Sequence, residues 1–408
     1  MTLQTRSLGC DQLNPRSEAF RLACFGLFVA NIIYLVTLLF EKSWIVDASG
    51  QPIHTDFTSV YAAGRLVLDG QSAAAYDWTL HYAAENAVVG HDWTAYLGWH
   101  YPPPFLMIAG LLATLPYAAA FVVWIAATLP LYLVTIRAIV GDRIGWLMAG
   151  AFPCLMPNVI SGQNGFLTAS LIGGALVLLE RQPVLAGCCL GLLTYKPQFG
   201  VLFPLLLVAG GYWRAIGGAA LTAAVLALAT IVLFGVRPWT EFFNWLPLTS
   251  QALFSHGDHT AWYKFQSVFA LVRMLGGGAT LAWTLQLALT AITVGVLCVM
   301  WSNKRIAFEL KAAAAAAAVP LVTPYVYLYD LTVLAVSVAF LVRRALVTGF
   351  RQGETIGLAA VAALFLIMPF LDVPVGLMTA AILGFLIARR VFLHEPACVR
   401  VPPEPLLA

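Results

Sequence analysis

Charge is what this sequence has least of. Only 10% of its 408 residues are Asp, Glu, Lys or Arg, while 61% are hydrophobic, and the mean hydropathy is +0.85. A water-soluble domain carries about 25% charged residues. A chain of this length with so few cannot cover itself in polar surface, so the bilayer is its solvent. Backbone groups in lipid must be satisfied within their own segment, which leaves helices or a closed barrel. The alternating pattern of a barrel strand is missing from the long apolar runs, so the fold is all-α and polytopic. Metal-ligand spacing is missing too. The seven cysteines (Cys10, Cys24, Cys154, Cys188, Cys189, Cys298 and Cys398) sit mostly inside apolar runs and read as small core hydrophobes. No Asp-x-Asp, internal repeat or Pro/Ser linker occurs, so residues 1–408 form one domain. The net charge of +3 is spread between loops and points to no nucleic-acid partner.

What is there is a succession of apolar runs. The first extends from about Leu22 to Phe40 behind Arg6, Arg16 and Arg21. It is too long for a signal-peptide core and lacks a small-residue cleavage site, so it reads as an uncleaved first span. Further runs near 118–138, 146–160, 165–180, 184–195, 199–213, 215–235, 281–300, 308–323, 325–342, 355–371 and 374–390 bring the expected number of spans to about twelve. Lys and Arg in short loops favour the cytoplasm. Arg137, Arg143, Arg181, Arg214, Lys304, Arg305, Arg343, Arg344, Arg351, Arg389 and Arg390 all face it together if both termini are cytoplasmic, as in an inner (plasma) membrane protein. That solution requires 102–116 not to span fully and 265–275 to lie at the outer surface. It places the acidic segment 41–101 outside as a large first periplasmic loop, and 236–264 outside as a second.

The polar residues that interrupt apolar sequence gather on that outer side. They are His54 and Asp56 in the first loop; Tyr101; Gln163 and Asn164; Lys196; His256, Asp258 and His259; Lys264, Gln266 and Arg273; and Tyr325 with Asp330. Each has an ordinary reading as well. Asp56 suits a helix N-cap for Phe57–Leu68, Lys196 a snorkelling helix end, Gln163 and Asn164 helix-end partners, and Asp330 a structural hydrogen bond to Tyr325 or Lys196. Their common side is what marks one site, since polar groups at membrane depth are costly. An acidic residue there can take a proton from an acceptor hydroxyl. Lys196 and Arg273 can hold a phosphate leaving group. Trp99, Tyr101 and Phe105 can stack on a sugar or line a lipid groove. His256, Asp258 and His259 sit on a Gly-containing loop that reads as an acceptor-binding segment rather than a metal site. This chemistry fits transfer of a sugar from a lipid-phosphate donor. The rival is a multi-span transporter or lipid-linked glycan flippase, but transporters place polar residues at mid-membrane on broken helices, often in repeats.

The order of these motifs carries a resemblance. Asp56-Phe57 is followed by Tyr101-Pro102-Pro103-Pro104, then Pro116 and Trp124, Gly162-Gln163-Asn164-Gly165, Gly191-Leu192-Leu193-Thr194-Tyr195-Lys196-Pro197, Gln266-Ser267 with Arg273, and Thr323-Pro324-Tyr325 with Asp330. Across roughly residues 20 to 345 this resembles glycosyltransferase family 87, which includes polyprenol-phosphate-mannose-dependent mannosyltransferases. The resemblance implies a GT-C-like fold, a periplasmic active site, a polyprenyl-phosphate sugar donor, a lipid or glycan acceptor, inversion at the anomeric carbon, and no cofactor or bound metal. It implies Asp56 as the general base; the reading of the residues adds Lys196, Gln163, Asn164, Tyr101, Gln266, Arg273, Tyr325, Asp330 and His259 as expected substrate-binding residues. Tyr325 stands where members of the family often carry His, and a tyrosine is no cationic phosphate partner at neutral pH.

Overall fold

A computed structural model describes residues 15–91, 97–255, 259–368, 371 and 373–392. Among them the regular secondary structure is helical, and two isolated bridges pair Val46 with Pro52 and Phe265 with Tyr327. Helix α1 (Pro15–Phe40) is about 39 Å long at 1.5 Å per residue. It leaves Leu22, Phe25, Ile33 and Phe40 exposed, as a lipid-facing helix does. The segment after it is folded rather than loose, with α2 (Asp56–Leu68), α3 (Trp78–Val89) and then α4 (Pro104–Ala113), and α2 packs on both of the others.

Helix α5 (Tyr117–Val140) defines the two ends of the molecule. At its start the Tyr117 hydroxyl donates to the Ile53 carbonyl at 3.3 Å, beside Asp56. At its finish the Ile139 carbonyl accepts from Arg343 Nη1 at 3.0 Å. Helices α6 (Ile144–Ala151) and α7 (Leu155–Ser161) follow, bent by 59° where Pro153 can donate no backbone hydrogen bond. Then come α8 (Gly165–Leu178), α9 (Pro183–Leu192), α10 (Pro197–Gly200), α11 (Leu202–Gly210) and α12 (Trp213–Phe234). The backbones of α9 and α12 touch: a Cβ at Gly187 would lie 2.1 Å from the Ala215 carbonyl oxygen. Small residues four apart permit that approach, the usual device for helix pairs in lipid.

The rest of the chain contains α13 (Arg237–Ser255), α14 (Val268–Met274), α15 (Ala279–Ser302), α16 (Phe308–Ala318), α17 (Leu334–Thr348, entered through a 3-10 turn Leu328–Val333), α18 (Glu354–Ile367) and α19 (Val375–Phe392). The alanines 312–318 of α16 are buried, and their short side chains let α17 pack close. Among the described residues six helical segments are long and apolar enough to cross a membrane: Glu18–Phe40, Tyr117–Val140, Trp213–Phe234, Ala279–Ser302, Leu328–Thr348 and Val375–Phe392. The bent α6–α7 pair makes up to seven. The other apolar runs fold as helices too short to span by length alone.

The ring of Phe20 in α1 lies 5.8 Å from that of Phe350, just past α17. At the same end Arg390 of α19 holds Glu354 of α18 through Nε–Oε1 at 2.5 Å and Nη2–Oε2 at 2.6 Å, and donates to Thr348 Oγ1 at 2.8 Å. So α1 begins and α19 finishes at the end that carries Arg343, opposite Asp56.

Candidate active site

Asp56 is the first residue of α2, not its cap. Thr55 occupies the N-cap, and its backbone N–H donates to the Thr58 hydroxyl at 3.1 Å. The Asp56 carboxylate is therefore free to reach across the bundle, and Oδ2 accepts from Gln163 Nε2 at 3.1 Å. Burial pushes the Asp56 carboxyl above the ordinary carboxylate range. The Gln163 hydrogen bond and the charges of Lys264 and Lys196 oppose that rise, and Asp330 adds to it.

Gln163 and Asn164 sit in the turn between α7 and α8, and the flanking glycines explain the turn. Gly162 has φ +65°, the left-handed conformation that closes α7. A Cβ on Gly165 would lie 2.4 Å from both Asn158 Oδ1 and the Tyr329 carbonyl oxygen. Asn158 binds that corner from within α7: Nδ2 donates to Tyr329 O at 2.9 Å, and Oδ1 accepts from Gly165 N at 2.9 Å. The turn is thereby joined to the segment that carries Asp330.

Lys196 and Asp330 meet at 2.5 Å, Nζ to Oδ1, although 134 residues separate them, and both are buried. Nζ also donates to Asn164 Oδ1 at 2.8 Å and lies over the rings of Phe199 and Tyr329 at 5.1 and 5.2 Å. Asp330 Oδ2 accepts from the Tyr327 backbone N–H at 3.0 Å. The helix break at Lys196-Pro197 lets the side chain turn inward, so Lys196 does not snorkel outward.

Tyr101 completes the group. Its hydroxyl accepts from Asn164 Nδ2 at 2.8 Å and donates to Gln163 Oε1 at 3.2 Å. Its carbonyl accepts from Tyr76 OH at 3.0 Å. The chain leading to it is fixed from behind by a buried pair in α3. His81 Nε2 lies 3.2 Å from the Ser59 carbonyl, and Glu85 Oε2 accepts from Leu97 N at 3.3 Å. Burial raises the Glu85 carboxyl to about 7 and lowers His81 to about 3. Trp99 and Phe105 are fully buried and stack on each other at 5.7 Å, with Phe105 on Tyr195 at 5.1 Å. They form the wall behind Tyr101, and a sugar cannot stack on either.

The structure thus brings together Asp56, Gln163, Asn164, Tyr101, Lys196 and Asp330. It does not bring Gln266 or Arg273 into that group. Gln266 is fully buried; its Oε1 accepts from Gly376 N at 3.0 Å and its Nε2 donates to Tyr263 O at 3.2 Å, tying the segment before α14 to α19. Arg273 donates to the Gly277 carbonyl at 3.1 Å and lies over the Trp262 ring at 5.4 Å. Tyr325 packs against the cluster of Trp262, Phe265 and Phe269. His259 opens the turn His259–Lys264, and its side chain, with all of His256 and Asp258, is outside the described residues.

Two residues were not chosen from the sequence, Asn158 and Tyr327, and a third, Lys264, was counted among the outer polar residues without a role. Lys264 is exposed and acts on the Asp56 carboxylate; its signal was its place beside Gln266-Ser267 in the same loop. Asn158 lay inside an apolar run, and a lone amide at that depth was the available signal. Tyr327 is held over the site by the bridge to Phe265 and by Gln266 N donating to Val326 O at 2.8 Å. Behind the Lys196 turn runs an apolar groove of about 620 Å3, lined by Leu193, Thr194, Pro197, Phe203, Leu207 and Ala219 among others.

A family model, Glycosyltransferase family 87, matches residues 99–324, more than half of the chain. The match includes Tyr101, Gln163, Asn164 and Lys196, begins after Asp56 and ends before Tyr325 and Asp330. No curated protein and no solved structure gave a significant match.

Proposed function

The chain belongs to glycosyltransferase family 87 and is a glycosyltransferase with membrane helices, and from that premise we propose that it moves a hexose, mannose or a relative, from a polyprenyl-phosphate donor to a lipid or glycan acceptor on the periplasmic face of a bacterial inner membrane. Asp56 is the general base. It takes the proton of the acceptor hydroxyl as that oxygen attacks the anomeric carbon. The bond from carbon to the donor's phosphate oxygen breaks, polyprenyl phosphate leaves, and the configuration inverts.

The observation that carries this reading is the Asp56 carboxylate itself. It is half-buried at a helix start, held on one oxygen by Gln163, and accompanied by an exposed cation, Lys264. A base poised above the ordinary carboxylate range is matched to proton abstraction near neutrality. Exposed Lys264 is better suited than Lys196 to receive the phosphate, because the Lys196 charge is already balanced by Asp330. The apolar groove beside the Lys196 turn offers room for the lipid tail of the donor.

Twelve crossings with both termini cytoplasmic are part of the proposal. To the six long helices and the bent pair the proposal adds Gly165–Leu178, Pro183–Tyr195, Pro197–Gly210, 308–321 and Glu354–Ile367 as five further crossings between the Asp56 end and the Arg343 end. Basic short loops favour the cytoplasm, which makes the Asp56 end periplasmic.

The test is Asp56→Asn, purified in lipid discs and given polyprenyl-phosphate mannose with a lipid extract as acceptor source. Release of polyprenyl phosphate should fall by about 10²–10⁴-fold while the protein elutes and melts like the parent. A variant that turns over like the parent removes Asp56 from this role.

A further inference from the structure

Four hydrogen bonds join the Lys196–Asp330 pair to Asp56, and all of them point the same way. Lys196 Nζ donates to Asn164 Oδ1 at 2.8 Å. Asn164 Nδ2 donates to the Tyr101 hydroxyl at 2.8 Å, the hydroxyl donates to Gln163 Oε1 at 3.2 Å, and Gln163 Nε2 donates to Asp56 Oδ2 at 3.1 Å.

The direction is forced rather than chosen. An ammonium has no acceptor, so the Asn164 oxygen must face Lys196 and its NH2 must face Tyr101. The Tyr101 hydroxyl, already accepting, has its one proton left to give. Gln163 is pinned independently: the Asn164 backbone N–H donates to the same Oε1 at 3.2 Å, and a backbone N–H cannot accept. Its NH2 therefore faces Asp56. Gln163 and Asn164 are buried, so water does not readily replace any link.

We infer that Asn164, Tyr101 and Gln163 are positioning residues, which carry the polarity of the Lys196–Asp330 pair to Asp56 and present its carboxylate ionised, with the oxygen not bound by Gln163 turned to the acceptor hydroxyl. The sequence had placed all three on the substrate, and their polar atoms are instead spent on one another. This rests on Asp56 being the base. Its first support is geometric. Each amide lies between a neighbour that can only donate and one that its NH2 must reach, so neither can flip without losing two hydrogen bonds. A chain of aligned bonds in a dry setting also polarises its members. The second support is electrostatic. The groups that face Asp56 are Lys264 from the turn before α14, Lys196, Asp330, Glu85 from α3, and the phenols of Tyr101, Tyr327 and Tyr329. Burial and the Asp330 charge favour the protonated form, so an aimed donor is what keeps the ionised form available.

The test reads protonation directly and needs no substrate. The full chain in lipid discs is titrated by infrared spectroscopy, and the band of protonated Asp56 is the one missing from Asp56→Asn. In Gln163→Met the midpoint of that band should rise by about one pH unit. In Tyr101→Phe it should rise by less, because the Gln163 amide loses one of the two donors that orient it. Glu85 titrates near the same range, so both comparisons are repeated in Glu85→Gln, where the shifts should persist. An unchanged midpoint in both variants overturns the inference, even where Asp56→Asn is inactive. An active Asp56→Asn overturns the base assignment instead, leaving the titration to stand as chemistry of the carboxylate alone. If one variant fails to fold, the other carries the result.

Discussion

Lys196 and Lys264 are both cations near one carboxylate, yet burial gives them opposite consequences. Lys196 is buried against Asp330 and Asn164. Removing its charge strands a buried carboxylate, which costs about 3–5 kcal/mol. Lys196→Met should therefore lower the melting temperature markedly, and Lys196→Met combined with Asp330→Leu should recover much of the loss. Lys264 is exposed. Lys264→Gln should leave the melting temperature unchanged and raise the apparent KM for the polyprenyl-phosphate sugar. An unchanged donor KM in Lys264→Gln, with a raised one in the folded fraction of Lys196→Met, would return the phosphate to Lys196. The difference could not be read from residue type. Asp330 and Lys196 were each visible as charges in apolar sequence, and Lys196 was one of two partners weighed for Asp330, but residue type does not say which of the two lysines is buried against it.

At the scale of elements, the site is a set of helix ends and breaks. Asp56 starts α2, Gln163 and Asn164 separate α7 from α8, Lys196 interrupts α9 and α10, and Asp330 lies in the 3-10 turn before α17. Helix ends leave backbone groups and side chains free to turn inward, so polar residues buried in a lipid-embedded bundle concentrate there. Much of this was legible. Gly162-Gln163-Asn164-Gly165 and Lys196-Pro197 read as breaks because glycine and proline end helices for known steric reasons. Gln266 and Arg273 stand apart from the Asp56 group for a related reason. Each is polar and close in sequence to Lys264, but its partners, Gly376 and Trp262, come from elements whose packing the sequence does not state. Gly165 offers a sharp test. A methyl there meets the Asn158 amide and the Tyr329 carbonyl, and the second is backbone that cannot swing aside. Gly165→Ala should abolish transfer and lower the melting temperature, whereas Gly174→Ala, with nothing closer than 3.9 Å, should do neither. Normal turnover in Gly165→Ala would mean that the α7–α8 corner is not held as described.

For the whole molecule, what the sequence conveyed best was the class and the two ends. Scarcity of charge gave the bilayer, and α1 starts and α19 finishes at one end of the bundle, beside Arg343 and Arg390. The number of spans was less legible, because several apolar runs fold into helices of 10–17 residues whose role length does not decide. Sidedness has a direct test. In a background lacking native cysteines, a cysteine at Asp69 or Gly70 should react with an impermeant thiol reagent on intact cells, and one at Asn303 should react only after lysis. The reverse pattern would put the site on the wrong face for the proposed donor.

The groove behind the Lys196 turn has a practical consequence for purification. Its wall from Leu193 to Pro197 is also the strut from which Lys196 reaches Asp330. A surfactant tail that fills the groove pushes on that strut, and an emptied groove leaves it unsupported. Solubilisation is thus a perturbation of the proposed site from its back side, and a preparation that is well folded by every bulk criterion can still be silent until lipid is restored.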